Sequence, residues 1–199
     1  LGQKIDAAEL RTLLPEIGEI ADSALREKVE AIWIEIAAEM AWSDLRDIPK
    51  NLKAESDRSL VEHIRGVTRM ALALCDIARE QHGKPYDRDL LLAACLLHDA
   101  SKPVECEPSG NDGRTGARPL PARKSHLGAC IQHGVYAAHK ALQHGLSLDL
   151  AHLLITHTHQ SNTRGTTWEA AALFYADFAD TDVGLSSNGA PMFSQRWKL

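Results

Sequence analysis

The sequence predicts an all-α fold, a helical bundle with an N-terminal helical extension, and three observations predict it. Apolar residues recur at steps of three and four along most of the chain, while sustained strand-like alternation is absent. Ser59, Asp87, Ser125, Ser147 and Thr167 each stand ahead of such a stretch, where a short side-chain oxygen can accept from first-turn amides that lack a partner inside the helix. With 44% apolar and 25% charged residues in 199, the chain has a globular balance and enough length for one substantial core.

Residues 6–13 and 16–41 read as amphipathic helices interrupted at Pro15, with Ile20, Ala24, Val29, Ile32, Trp33, Ile36, Ala37 and Met40 as their apolar positions. This extension, residues 1–58, carries no evident chemistry; its stripe covers the main core or forms a homodimer face. The main domain, 59–181, follows the polar stretch Pro49 to Ser59, with helices expected near 59–80, 88–99, 125–144, 148–157 and 167–181 and a tail at 182–199. Between Ser101 and Lys124, Pro103, Pro108, Gly110, Gly113, Gly116, Pro119 and Pro121 predict a long loop, either a functional lid or a solvated insertion. Its basic side chains, Lys102, Arg114, Arg118, Arg123 and Lys124, outnumber the acidic Glu105, Glu107 and Asp112.

Composition narrows the function. A net charge of -5 and an aromatic content of 5% argue against polymeric nucleic acid as the partner. The four cysteines, Cys75, Cys95, Cys106 and Cys130, lack paired spacing, so neither a disulfide framework nor a thiolate zinc site is expected. No apolar run approaches bilayer length, and the start lacks the layout of a secretory signal; a protein of the reducing cytoplasm is the expectation. Gly110, Gly113 and Gly116 follow no strand and form no phosphate cradle.

The chemistry lies in histidines and aspartates on apolar faces. His63 shares a seam with Leu60, Val67, Met70, Leu74 and Ile77, which turns its imidazole inward. Leu90 to Ala100, LLLAACLLHDA, is apolar nearly all round and ends in His98-Asp99. A helix over 125–144 puts His133 on a face with Cys130, Ala137 and Ala141, with His126 two turns earlier. His157 continues the Leu150 and Leu154 seam, and Asp177 continues Ala170, Leu173 and Phe174. Singly, each is an ordinary core histidine or capping carboxylate. Together they are costly to bury unless something pairs them, and a divalent cation pairs them all. Nitrogen and oxygen donors without thiolate suit iron, manganese, zinc, cobalt or nickel.

His63, His98-Asp99 and the distant Asp177 resemble the H…HD…D signature of the HD-domain metal-dependent phosphohydrolases, over residues 59–181, with Lys102 placed as in the frequent HDxxK form. The resemblance implies an HD-domain helical bundle in which His63, His98, Asp99 and Asp177 hold a first metal ion. His133 and His157 match the two further histidines of members with a second ion, so a dinuclear centre bridged by Asp99 is favoured over a single ion. His126, His159 and Asp180 compete for these places and are expected around the ligands or facing substrate. The implied reaction is hydrolysis of a small phosphate ester or nucleotide by metal-activated water, with Asp99 and Lys102 at the reacting centre and Lys102 on the phosphate. Arg123, Lys124 and His126 are the further candidates for contact with a small anionic substrate. A few diiron members resembling inositol oxygenase use similar ligands, which leaves oxygenase chemistry open. A non-catalytic metal- or ligand-binding helical module is the third reading.

Overall fold

The computed structural model describes residues 5–53, 55–110 and 118–196. Among them α1 (Ala7–Leu13), a 3-10 turn at Pro15–Glu19 and α2 (Ser23–Glu39) form the N-terminal region. A second 3-10 turn at Leu45–Asp47 leads to α3 (Leu60–His82), α4 (Arg88–Leu97) and the short α5 (Lys102–Glu105). Strands β1 (Cys106–Pro108) and β2 (Ala122–Lys124) precede α6 (His126–Cys130), α7 (Val135–Gln143), α8 (Leu148–Thr156), α9 (Trp168–Ser187) and α10 (Phe193–Arg196). The fold is mostly helical, and no described helix is long and apolar enough to cross a membrane.

All five expected N-caps form. The side chains of Ser59, Asp87, Ser125, Ser147 and Thr167 accept from the backbone N–H groups of Glu62, Leu90, Gly128, Leu150 and Ala170. At Ser59 the Glu62 carboxylate reaches back to the cap's own N–H, completing a capping box that starts α3 one turn before His63. Helix α4 explains its uniformly apolar sequence by its place. It packs against α2, α3, α8 and α9, and Leu91 to Leu97 are fully buried.

The N-terminal region shares this core. Ile17, Val29, Trp33 and Ile36 are buried in one cluster with α4 residues, and the Trp33 indole N–H donates to the Leu96 carbonyl at 3.1 Å. Glu16, buried in the first 3-10 turn, accepts from Arg65 of α3 at 3.0 Å.

Four local expectations are corrected. The helix expected over 125–144 is two helices, broken at Ile131 to Gly134, because Gly134 adopts the left-handed region at φ 85°. The segment 101–124 is not all loop. It contains α5 and an antiparallel pair in which Glu107 faces Arg123, and their side chains join at 2.8 Å. Asp112, Gly113, Arg114 and Gly116 lie outside the described residues. The seam of α3 also drifts. Leu60, Ile64, Val67, Ala71 and Cys75 are buried, while Leu74 and Ile77 are exposed. Steps alternating between three and four follow a 3.5-residue repeat, and a 3.6-residue helix rotates such a stripe off the core by about 20° per heptad. Helix α9 runs to Ser187, past the expected end at 181.

All four cysteines are free; Cys75, Cys95 and Cys106 are buried and Cys130 is exposed. Burial pushes the Cys75 and Cys106 thiols up to about 12 and raises Cys95 as well, so their thiolates are scarce near neutrality. The native protein should therefore take up one equivalent of a thiol reagent at about pH 8, at Cys130, and four when unfolded. Rapid labelling of two or more thiols in the native state would contradict this packing.

Candidate metal centre

Five segments deliver the six expected ligand residues to one point. The first turn of α3 brings His63, the turn after α4 brings His98 and Asp99, the break before α7 brings His133, the end of α8 brings His157, and the middle of α9 brings Asp177. They gather as two triads, His63, His98 and Asp177 in one and Asp99, His133 and His157 in the other, with ligand atoms inside each triad within 4.8 Å of one another.

Asp99 joins the triads. Its Oδ2 lies 3.2 Å from His63 Nε2 and 3.6 Å from His98 Nε2, and its Oδ1 lies 2.8 Å from His133 Nε2 and 4.0 Å from His157 Nε2. Asp177 Oδ1 approaches His63 Nε2 at 3.2 Å. Within the triads, His98 Nε2 is 3.3 Å from His63 Nε2, and His157 Nε2 is 3.2 Å from His133 Nε2.

The outward faces of the rings explain why the inward faces crowd. His98 Nδ1 meets the Cys95 carbonyl at 2.6 Å and His157 Nδ1 the Leu154 carbonyl at 2.8 Å, bonds that only an N–H can make. His63 Nδ1 donates to Asp180 at 2.5 Å, and His133 Nδ1 to Glu105 at 2.8 Å. With each Nδ1 committed as a donor, a neutral ring leaves a lone pair on Nε2, and all four lone pairs converge on carboxylate oxygens. Lone pairs facing lone pairs repel unless a cation or protons lie among them. Imidazoles oriented by an outer carboxylate or carbonyl are the usual support for metal ligands. The donor set therefore fits divalent metal.

The electrostatics agree. Burial would raise the Asp99 carboxyl, but the Lys102 ammonium and the surrounding imidazoles hold it well below the usual range. Asp177 is likewise held down, against its burial, by His63. Burial would lower His133, yet hydrogen bonds to Asp99 and Glu105 push it up to about 9, whereas burial and its charged neighbours pull His157 down to about 3. Without metal, protons divide unevenly among the rings to balance the carboxylates.

The centre opens into a cleft of about 580 Å³, lined by Asp99, Asp177 and His133 and also by Lys50, Lys102, Lys124 and His159. Lys102 Nζ lies 2.6 Å from Asp99 Oδ2 and 2.9 Å from the Lys50 carbonyl. Among the competing candidates, Asp180 lies against His63 Nδ1 and His159 lines the cleft. Arg123 and His126 do not line the cleft. Arg123 is paired with Glu107 on the outer hairpin, and His126 is exposed beside Cys130 on α6.

Three residues escaped the sequence reading. Glu105, counted as one more loop anion, orients His133. Arg58 binds Asp180 Oδ2, the same oxygen that orients His63, at 2.7 Å. Lys50 is buried at the cleft wall, its Nζ 2.6 Å from Thr181 Oγ1 and 3.2 Å from Glu55 Oε2. Lys50 and Arg58 lie in the connection between α2 and α3 and sit in no periodic pattern. Only Glu105 left a trace, as a carboxylate close after the His98-Asp99 pair.

The HD-domain family model matches residues 60–182. The chain belongs to the HD-domain family. It is also 27% identical over 126 residues to a dihydroneopterin 2',3'-cyclic phosphate phosphodiesterase of Methanocaldococcus jannaschii, a match that covers 62% of this chain and 47% of that protein. This HD-domain chain thus spans about half the length of that curated relative. No solved structure gives a significant match.

Proposed function

We propose that this HD-domain protein is a metal-dependent phosphohydrolase that cleaves a small phosphate ester. The observation that carries the reading is Asp99, whose two oxygens each face a pair of imidazoles while Lys102 lies against the same carboxylate in an open cleft. Family membership supports hydrolysis at phosphorus. That relative is named for a cyclic phosphate, which supports including phosphodiesters among the substrates.

His63, His98, Asp99 and Asp177 would hold one ion, and His133 and His157 with Asp99 a second. Such ions lower the pKa of bound water and polarise phosphoryl oxygens. The remaining work falls to the chain. Asp180 and Glu105 keep His63 and His133 in the tautomer that presents Nε2 to the centre. Lys102 and Lys50 supply positive charge to phosphoryl oxygens as the water oxygen bonds to phosphorus and the ester bond breaks, the proton leaving with the ester oxygen. Lys124 adds charge at the cleft edge.

The test is elemental analysis of tag-free protein purified without added metal, read with phosphate or monoester release and oxygen uptake on one substrate panel. Two divalent ions per chain with ester cleavage are the expected result. Two redox-active irons with oxygen uptake and no ester cleavage would replace this reading by an oxygenase. Protein that binds no metal would overturn both and leave a non-catalytic module.

A further inference from the structure

One wall of the cleft is made of rings. Phe178, the residue after Asp177 on α9, has Phe174 stacked on it one turn earlier with centroids 4.5 Å apart. Phe193 of α10 meets Phe178 edge to face at 4.9 Å. His159, two residues past His157, reaches both, with centroids 6.1 Å from Phe178 and 5.8 Å from Phe193. His159, Phe178 and Phe193 line the same cleft as Asp99, Asp177 and Lys102. They are not sealed into the core: Phe178 and Phe193 are half-buried and His159 is exposed.

Phe193 is held there by a specific arrangement. After α9 the chain reverses at Gly189, in the left-handed region at φ 66°, and the Asp182 carboxylate accepts from the backbone N–H groups of Phe193 and Ser194. Gln195 closes the turn by accepting from the Met192 N–H at 3.0 Å. Phe193 lies outside the 60–182 segment that the family model matches, so this half of the wall is a feature of the chain's own C-terminal turn.

We propose that His159, Phe178 and Phe193 form a subsite for a planar heteroaromatic ring on the substrate, with Asp182 as the residue that positions Phe193. Which end of the cleft takes the phosphate rests on the phosphohydrolase reading; the ring subsite itself does not. Aromatic faces take a flat π-system by offset or edge-to-face stacking, tolerant of its substituents. The cleft, about 580 Å³, has the size of sites that enclose a ring together with an attached polar group. The ring end and the centre share one cleft, since Phe178 and Asp177 both line it. A ring seated there leaves its phosphate within the same cleft as Lys102.

The experiment compares two esters with the same phosphate, adenosine 2',3'-cyclic phosphate and 1-O-methylribose 2',3'-cyclic phosphate, on metal-loaded protein. The ring-bearing ester should have a KM lower by about tenfold, the scale of one stacked ring. Phe178→Ala and Phe193→Ala should collapse that preference toward unity with metal content unchanged, and Phe193→Trp should keep it. Asp182→Ala should reproduce the Phe193→Ala effect on KM, and the double variant should add nothing further. Equal KM values for the two esters, or a preference that survives both Phe→Ala changes, would overturn the subsite. If the loaded protein cleaves neither ester, calorimetry with adenosine alone reads ring binding directly. Binding that disappears in the Phe variants would sustain the subsite while the phosphohydrolase reading fails; no adenosine binding by the wild type would overturn the subsite.

Discussion

Replacing Asp99 by alanine should empty both halves of the centre at once, whereas His157→Ala should empty one. Asp99 Oδ2 faces His63 and His98, and Oδ1 faces His133 and His157, so this carboxylate alone belongs to both donor groups. Elemental analysis should give less than one ion per chain for Asp99→Ala. Phosphate-ester cleavage should fall by about 10³-fold or more, because metal-lowered water acidity is lost entirely. The side chain also compensates Lys102, at 2.6 Å, and His133, at 2.8 Å, so its removal leaves two partly buried cationic groups short of a partner. Far-UV circular dichroism and a melting curve on the same sample separate loss of metal from loss of fold. A folded Asp99→Ala protein that retained two ions would refute the bridging assignment.

Gly134→Ala should be among the most damaging single-methyl additions in the domain. Gly134 sits at φ 85°, and a Cβ there would lie 2.5 Å from the Leu154 carbonyl oxygen and 3.3 Å from His157 Cε1. Left-handed strain on a residue with a side chain and overpacking against backbone each cost about 1–3 kcal/mol, so a loss of about 3 kcal/mol is expected. For a chain of this size that corresponds to a fall in Tm of roughly 6–12 °C. The collision is with the carbonyl that holds His157 Nδ1, so metal should be lost first from the His133 and His157 half. Thermal unfolding and metal content of the purified variant check both parts; an unchanged Tm would show that the helix break does not need glycine.

The same position shows why part of the site resisted reading. His133 reaches Asp99 from the break between α6 and α7, not from a helix face, and a helix run through 125–144 places it among small apolar residues for the wrong reason. The residue type was legible; the direction of its ring was set by one left-handed glycine. Glu105 faced a comparable obstacle, since only the fold of α5 against α6 carries it to His133. Gly128 permits that approach: a Cβ there would lie 2.0 Å from the Glu105 carbonyl.

By itself the amino-acid sequence determined the helical class, all five capped helix starts and the buried character of α4, and it supplied the histidines and aspartates from which the resemblance to HD domains selected the six that meet at the centre. The first three follow from local chemistry. Capping depends on residues three apart, periodicity on one helix, and the cost of burying imidazoles and carboxylates on residue type alone. Only the tertiary structure decided that Asp99 faces both triads, that Asp180 and Glu105 tie down the outer nitrogens, that Lys50 joins the cleft while Arg123 and His126 do not, and that Phe193 returns over Phe178. Those are contacts between segments tens of residues or more apart, with one exception at Phe193, and no local pattern encodes them. They arise from how α3, α4, α8 and α9 pack around a shared core, which aims the polar side chains that their sequences could only supply.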